Sequence, residues 1–141
     1  MPTEMQMKAA LQAYLDGLNA RDADAVLALF AADAEIEDPV GSPVKRGAEI
    51  KAWFRGAVRV EPRLELCAPI RGSHSDAAVM TFTVESVRGG ARYRTHSTDV
   101  ARFNEEGQII RLEGYWGPSD RRELPLSESM PPNCDSQEGT P

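Results

Sequence analysis

The spacing of apolar residues changes along this 141-residue chain, and that change limits the folds open to it. In most of the first 57 residues, apolar side chains recur every three or four positions, as on one face of an amphipathic helix. From Pro62 onward they alternate with polar side chains, as in strands with one buried face. Helices followed by hairpin-linked strands predict an α+β fold in which helices cover one face of a mainly antiparallel sheet, with a cavity between the layers.

Local signals place the helices. Thr3 and Gln6 have the spacing of a capping box for a first helix, and Asp22 can cap a second helix whose inner face includes Leu29 and Phe30. A short strand is expected at Ala34–Asp38, and a third helix at Gly47–Ala57.

The sheet is expected to follow from residue 62. Gly89 and Gly90 predict a hairpin turn between a strand containing Ala78 to Val84 and a strand at Ala91–Phe103. A last strand is expected within 108–117. Residues 1–117 therefore form one predicted domain, and the proline-, serine- and acid-rich segment 118–141 is predicted to be a disordered or loosely packed tail.

Composition narrows the classes of partner. The formal charge of −6 disfavours nucleic acid, because binding phosphates requires a cationic surface. No apolar run approaches the roughly 20 residues of a membrane span, and the start of the chain does not resemble a secretory signal. A cytoplasmic protein that binds a small apolar molecule is the expectation.

Three polar residues lie on predicted apolar faces. In the segment EIEDPVGS (35–42), Asp38 is in phase with Ala34 and Ile36, whereas Glu35 and Glu37 point to the other side. Asp99 and Tyr14 are the other two: Asp99 avoids the charged face of its strand, and Tyr14 falls on the buried side of the first helix.

Each of the three residues has a structural alternative. Tyr14 may be read as an ordinary core tyrosine, Asp38 as a turn acid before a proline, and Asp99 as the partner of Arg92 or Arg111 in an ion pair. Their coincidence on faces that line one cavity favours a common role, since burying each without a partner is costly. A desolvated carboxylate acts as a base, and a phenol and a protonated carboxyl act as two hydrogen-bond donors for an enolate oxygen. That combination predicts a ketone isomerase.

The segment YLDGLNARDADAVLALFAADAEIEDPVGS (14–42) strongly resembles bacterial ketosteroid isomerases, as do GSH (72–74), DVARFNEEG (99–107) and YWG (115–117). The resemblance covers about residues 5–117. It implies the cone-shaped fold of the nuclear-transport-factor-like, or SnoaL-like, superfamily, with three helices on a curved sheet enclosing an apolar pocket. It also implies a homodimer and no cofactor. This family is a standard illustration of a base combined with a tyrosine and a protonated aspartate.

The resemblance assigns roles to individual residues. Asp38 would move a proton from carbon 4 to carbon 6 of a 3-oxo-Δ5 steroid, while Tyr14 and protonated Asp99 would bind the dienolate oxygen. Phe82 and Trp116 match pocket positions. Phe30 and Phe54 stand where family members often carry tyrosines that support the catalytic tyrosine; the predicted substrate-binding residues are Phe30, Phe54, Phe82 and Trp116.

Two rival functions remain open. An epoxide hydrolase or cyclase of the same superfamily would use an acid and a base, usually with an arginine between two aspartates, and no inward-facing arginine is predicted. The arginines from Arg88 to Arg111 are expected on a solvated outer face. A noncatalytic lipid-binding module is the other rival, but it would need no base at Asp38. His74 and His96 are expected in a turn and on the charged face, so no metal site is predicted.

Overall fold

Three helices form the N-terminal part of the structure, a computed structural model that describes residues 1–125. They are α1 (Glu4–Asn19), α2 (Ala23–Leu27) and α3 (Ala48–Ala57). The predicted capping box is confirmed: the Gln6 N–H donates to Thr3 Oγ1 over 3.0 Å, and the Thr3 N–H donates to Gln6 Oε1 over 2.8 Å. Asp22 caps α2 by accepting a hydrogen bond from the Ala25 N–H. None of the helices in this part of the chain is long and apolar enough to span a bilayer.

The sheet is mainly antiparallel, as predicted. Its strands are β1 (Phe30–Glu37), β2 (Lys45–Arg46), β3 (Arg63–Leu66), β4 (Ala77–Arg88), β5 (Ala91–Phe103), β6 (Ile109–Tyr115) and β7 (Arg121–Leu124). The spatial order is β2-β1-β6-β5-β4-β3, and only the β1–β6 pairing in this path is parallel. The Gly89–Gly90 hairpin between β4 and β5 is confirmed, and both glycines have positive φ angles, of 57° and 82°.

The core lies between the helices and the inner face of the sheet. Alternation in β5 buries Ser97, Asp99, Ala101 and Phe103 on that face, as the sequence predicts. The end of α1 is held to β3 through Asn19, whose side-chain amide donates to the Leu64 carbonyl over 3.0 Å and accepts from the Leu64 N–H over 2.7 Å. This connection fixes the helix layer against the edge of the sheet, with the cavity between them.

The first strand begins earlier than predicted. Leu29 and Phe30 were expected on a face of the second helix, but α2 ends at Leu27 and β1 starts at Phe30. The reason is a long-range hydrogen bond: the Ile109 N–H donates to the Leu29 carbonyl over 2.9 Å, so the chain has already joined the sheet there. Tertiary pairing therefore overrides the local helical spacing.

The sheet continues past the predicted domain boundary at residue 117. After a 3-10 turn at Pro118–Asp120, β7 pairs antiparallel with the N-terminal half of β5, and Leu124 is only 3% exposed. β6 pairs with the C-terminal half of β5. After the turn, β7 therefore extends the sheet on the same side of β5 as β6. The rest of the predicted tail, residues 126–141, lies outside the described residues.

The expectation of a solvated outer row of arginines is also partly wrong. Arg94 is 1% exposed and forms a 2.8 Å ion pair with the buried Glu85. Arg111 is partly buried and bonded to three carboxylates, those of Glu35, Glu37 and Glu113. Arg88 lies on the cavity wall. Arginines of these strands thus form buried ion pairs in some positions and line the cavity in others, and the alternation of the sequence does not distinguish the two.

Candidate active site

A cavity of about 300 Å³ lies between the helix layer and the inner face of the sheet. This volume is at the lower end of the range of small-molecule sites. Tyr14 of α1, Asp38 at the end of β1 and Asp99 of β5 all line it. The three polar residues picked out by the sequence pattern therefore converge on one site.

Asp38 directly follows β1 and precedes Pro39, to which it is joined by a cis peptide bond. Its carboxyl group lies against Gly114 of β6, where a Cβ would come within 2.8 Å of Oδ2 and closer still to Oδ1. Desolvation raises the pKa of Asp38 to about 6, against the opposing effects of a hydrogen bond from Trp116 and the charges of Lys45 and Arg121. Asp38 is thus an ionised carboxylate at neutral pH with more basicity than an exposed aspartate.

Asp99 is 1% exposed in the middle of β5. The Ser97 hydroxyl donates to its Oδ1 over 3.3 Å, while Oδ2 is buried and has no hydrogen-bond partner. Burial, and then the charge of Asp38, raise the pKa of Asp99 well above its usual value. Asp99 makes no ion pair with any described residue, so the proposed pairing with Arg92 or Arg111 is not found. The side chain is suited to hold a proton and donate it in a hydrogen bond.

Tyr14 is 3% exposed, and its ring packs against two phenylalanines. The centroid of the Tyr14 ring lies 5.8 Å from that of Phe54, with the two rings edge to face, and 6.3 Å from that of Phe30. Burial, and then the charges of Asp99 and Asp38, raise the pKa of Tyr14, so the phenol remains protonated. Within residues 1–125, the Tyr14 hydroxyl has no hydrogen-bond partner.

The structure brings together three of the four predicted substrate-binding residues. Phe54, Phe82 and Trp116 line the cavity. Phe30 does not: its ring lies 5.4 Å from that of Phe54 and behind Tyr14, so Phe30 supports the wall from the core. Phe30 is thus not a lining residue of the described cavity, and its role in substrate binding stays a prediction.

Several lining residues were missed in the sequence. Trp53 of α3 lines the cavity but was not predicted to do so, and Gly114 of β6, which lies against the Asp38 carboxyl, was not assigned to the site either. Arg121 was placed in a tail, yet it lines the cavity, donates from Nε to Thr95 Oγ1 over 2.9 Å and lies 4.3 Å from the Trp116 ring. The statement that no arginine faces inward is therefore wrong. The apolar Leu124 at the end of the charged segment RREL (121–124) was the available signal that this segment reaches the core.

Together Asp38, Asp99 and Tyr14 place two carboxyl groups and a phenol on the wall of one cavity. In the part of the chain that the structure covers, no three histidine, cysteine or acidic side chains cluster as metal ligands. The arrangement is suited to moving a proton on a substrate whose oxygen is stabilised by the two donors.

The fold is an α+β domain with a cavity between its helices and its sheet, and two carboxyl groups and a tyrosine line that cavity. Residues 11–112 match the SnoaL-like domain, and the chain belongs to that family, within the nuclear-transport-factor-like superfamily. The chain is 34% identical over 116 residues to the "Steroid Delta-isomerase" of Nocardioides simplex, covering 82% of this chain and 93% of that protein.

Other relatives have a different chemistry. The "Epoxide hydrolase LasB" of Streptomyces lasalocidi is 33% identical over 129 residues, which cover 85% of this chain and 44% of LasB. The solved structure of SalBIII, described as an epoxide hydrolase/cyclase-like enzyme in pyran ring formation of polyether salinomycin, superposes with a TM-score of 0.80. Its identity is 27%, over 86% of this chain and 98% of that structure. The similarities support an enzyme of the SnoaL-like family.

Proposed function

We propose that this chain isomerises 3-oxo-Δ5 steroids to 3-oxo-Δ4 steroids without a cofactor. The observation that carries the proposal is that the Tyr14 hydroxyl and Asp99 Oδ2, neither of which has a hydrogen-bond partner within residues 1–125, share one cavity with the basic Asp38. Two such donors are suited to one oxygen that gains negative charge during the reaction.

In the proposed reaction, the carboxylate of Asp38 removes a proton from carbon 4, and the electrons of that C–H bond form a dienolate. Tyr14 and protonated Asp99 donate hydrogen bonds to the oxygen at carbon 3. Asp38 then returns the proton to carbon 6, and the double bond is left between carbons 4 and 5. The same proton is taken and returned, so no external acid, base or oxidant is consumed.

The electrostatics of the cavity support this assignment of roles. Two carboxyl groups that interact in a desolvated site do not both ionise readily, so one is held as an acid while the other serves as base. Asp38 has Trp116, Lys45 and Arg121 nearby to stabilise its charge, whereas Asp99 has only the Ser97 hydroxyl. The proton of the pair is therefore assigned to Asp99.

Formation of the conjugated Δ4 enone from 5-androstene-3,17-dione, followed by ultraviolet absorbance, tests the proposal. Wild type should turn over rapidly, and Asp38→Asn should lose roughly 10²- to 10⁴-fold in kcat, the usual contribution of a general base. Binding of the Δ4 product, measured in parallel, confirms that the variant keeps its pocket. A wild type that binds the product but converts the Δ5 steroid no faster than buffer would mark the protein as a noncatalytic steroid-binding module.

Epoxide opening is the second candidate, and the position of Arg121 favours it. The guanidinium lines the same cavity as Asp38 and Asp99, and the relatives LasB and SalBIII are described with epoxide chemistry. In this function Asp99 would protonate the epoxide oxygen while Asp38 activates the attacking hydroxyl. A hydroxy-epoxide assayed with the same preparation would discriminate between the two: conversion of the epoxide with no enone formation would replace the first proposal by the second.

A further inference from the structure

Two arginines lie on the wall of the cavity. Arg121 is held in place by its bond to Thr95 Oγ1 and by the ring of Trp116 beneath its guanidinium. Arg88 is directed back along its strand, since its Nε lies 3.4 Å from Ser86 Oγ. Both side chains thus face the space that a ligand would occupy.

Neither arginine has a carboxylate partner among the described residues. The ion pairs found there use Lys8, Arg46, Arg94, Arg102 and Arg111 instead. The cavity lining contains only two acids, Asp38 and Asp99. Burial, and then the charge of Arg88, lower the pKa of Arg121, whereas the nearby Tyr93 and Asp38 raise it. The two guanidinium groups are therefore close enough to repel each other. In a chain with a net charge of −6, a cavity wall with two unpaired arginines calls for an anionic ligand.

The register of the sheet places these cations toward the N-terminal end of β5 relative to Asp99, although Arg121 is still close enough to Asp38 to lower its pKa. Arg121 pairs with Thr95, four residues from Asp99 along β5, or about 13 Å of strand. Ser86 lies beside the Arg88 guanidinium and pairs with Tyr93, which is two residues further from Asp99 than Thr95 is. A steroid nucleus is about 10 Å long, or about three residues of strand, so a ketone at Asp99 places ring D about one residue short of Thr95, within reach of a substituent on that ring.

We propose that the cavity takes steroids that carry an oxyanion at ring D, with Arg88 and Arg121 as its binding residues. This inference rests on the proposed steroid function and specifies its substrate class. A carboxylate on a short side chain is the group that a guanidinium fits best, because it accepts two parallel hydrogen bonds. A sulfate ester offers the same kind of acceptor oxygens at the same end of the ligand.

Binding experiments test the inference separately from catalysis. The probes are the 17β-carboxylic acid of 4-androsten-3-one and its uncharged methyl ester, together with testosterone and its sulfate ester. Each is titrated into wild-type protein, and Kd is measured by quenching of tryptophan fluorescence at low and high salt. The acid should bind at least about tenfold more tightly than the ester, and the advantage should shrink with salt, as expected for an electrostatic contact. Comparison of the sulfate with the acid identifies which oxyanion is preferred.

Variants assign the preference to residues. Arg88→Gln should remove most of the advantage of the acid over the ester while leaving the Kd of the ester unchanged. Arg122→Gln is the matched control: it removes the same charge from an exposed residue of β7 that lies outside the cavity lining, so the preference should persist. Arg121→Gln tests the second arginine in the same way, and an unchanged Kd for the ester shows that the pocket of this variant is intact.

The outcomes separate the two proposals. Equal affinity of wild type for acid and ester, or a preference that survives in both Arg88→Gln and Arg121→Gln, would overturn the anion site. The Δ5 analogues of the acid and ester are assayed for enone formation with the same protein. Preferential binding of the acid without conversion of any Δ5 steroid would sustain the anion site and overturn the isomerase function.

Discussion

The carboxyl group of Asp38 lies directly against the backbone of Gly114, in a space that a side chain at position 114 would fill. The contact joins the end of β1 to β6, where the Val40 N–H also donates to the Gly114 carbonyl over 2.7 Å. The position of the proposed base is therefore set by a residue that takes no part in the chemistry.

Gly114→Ala should lower kcat of the proposed isomerisation by about 100-fold, because the added methyl group displaces the Asp38 carboxyl from the substrate carbon. Steady-state enone formation measures the effect. Gly56→Ala is the control, since a Cβ at that position in α3 meets nothing within 4 Å, and its kcat should equal that of wild type. Unchanged activity in Gly114→Ala would show that the carboxyl position is not set by this contact.

The pH dependence of kcat/KM should follow the ionisation of Asp38. The base acts as a carboxylate, so activity should rise with pH through a pKa of about 6 and level off above it. Lys45→Met removes a cation that lowers this pKa, so the rising limb should move to higher pH. A profile that is flat from pH 5 to pH 8, or a Lys45→Met limb at lower pH, would contradict the assignment of Asp38 as base.

Much of the site follows from alternation in the sequence, because Asp38 and Asp99 are the acids in phase with buried residues of their strands. Gly114 and Arg121 could not be assigned in this way. The importance of Gly114 depends on the distance between two strands, and the orientation of Arg121 depends on β7, whose flanking prolines and charges resemble a tail. Long-range pairing also explains why β1 begins at Phe30.

Asp99 should make folding stability depend on pH. Its folded pKa is raised, so the group has no effect below the unfolded pKa, and stability falls as pH rises from there toward the folded pKa. The slope for one such group is about 1.4 kcal/mol per pH unit. Asp99→Asn has no carboxyl to desolvate, so its free energy of unfolding, from urea titrations between pH 4.5 and pH 7.5, should fall less steeply than that of wild type. Parallel pH profiles for the two proteins would mean that Asp99 is ionised in the folded state.

The Tyr14 hydroxyl should matter for catalysis without mattering for stability. Because it has no hydrogen-bond partner in residues 1–125, Tyr14→Phe removes no protein contact, and the midpoint of urea unfolding should stay within error of wild type or rise slightly. The same change removes one donor to the dienolate, so kcat should fall by about 10²- to 10³-fold. Asn19→Ala is the converse control: it breaks both bonds to Leu64, so it should lower the midpoint and leave kcat nearly unchanged at a temperature where the variant is folded. A loss of stability in Tyr14→Phe equal to that in Asn19→Ala would assign Tyr14 to the structural core and remove it from the proposed oxyanion hole.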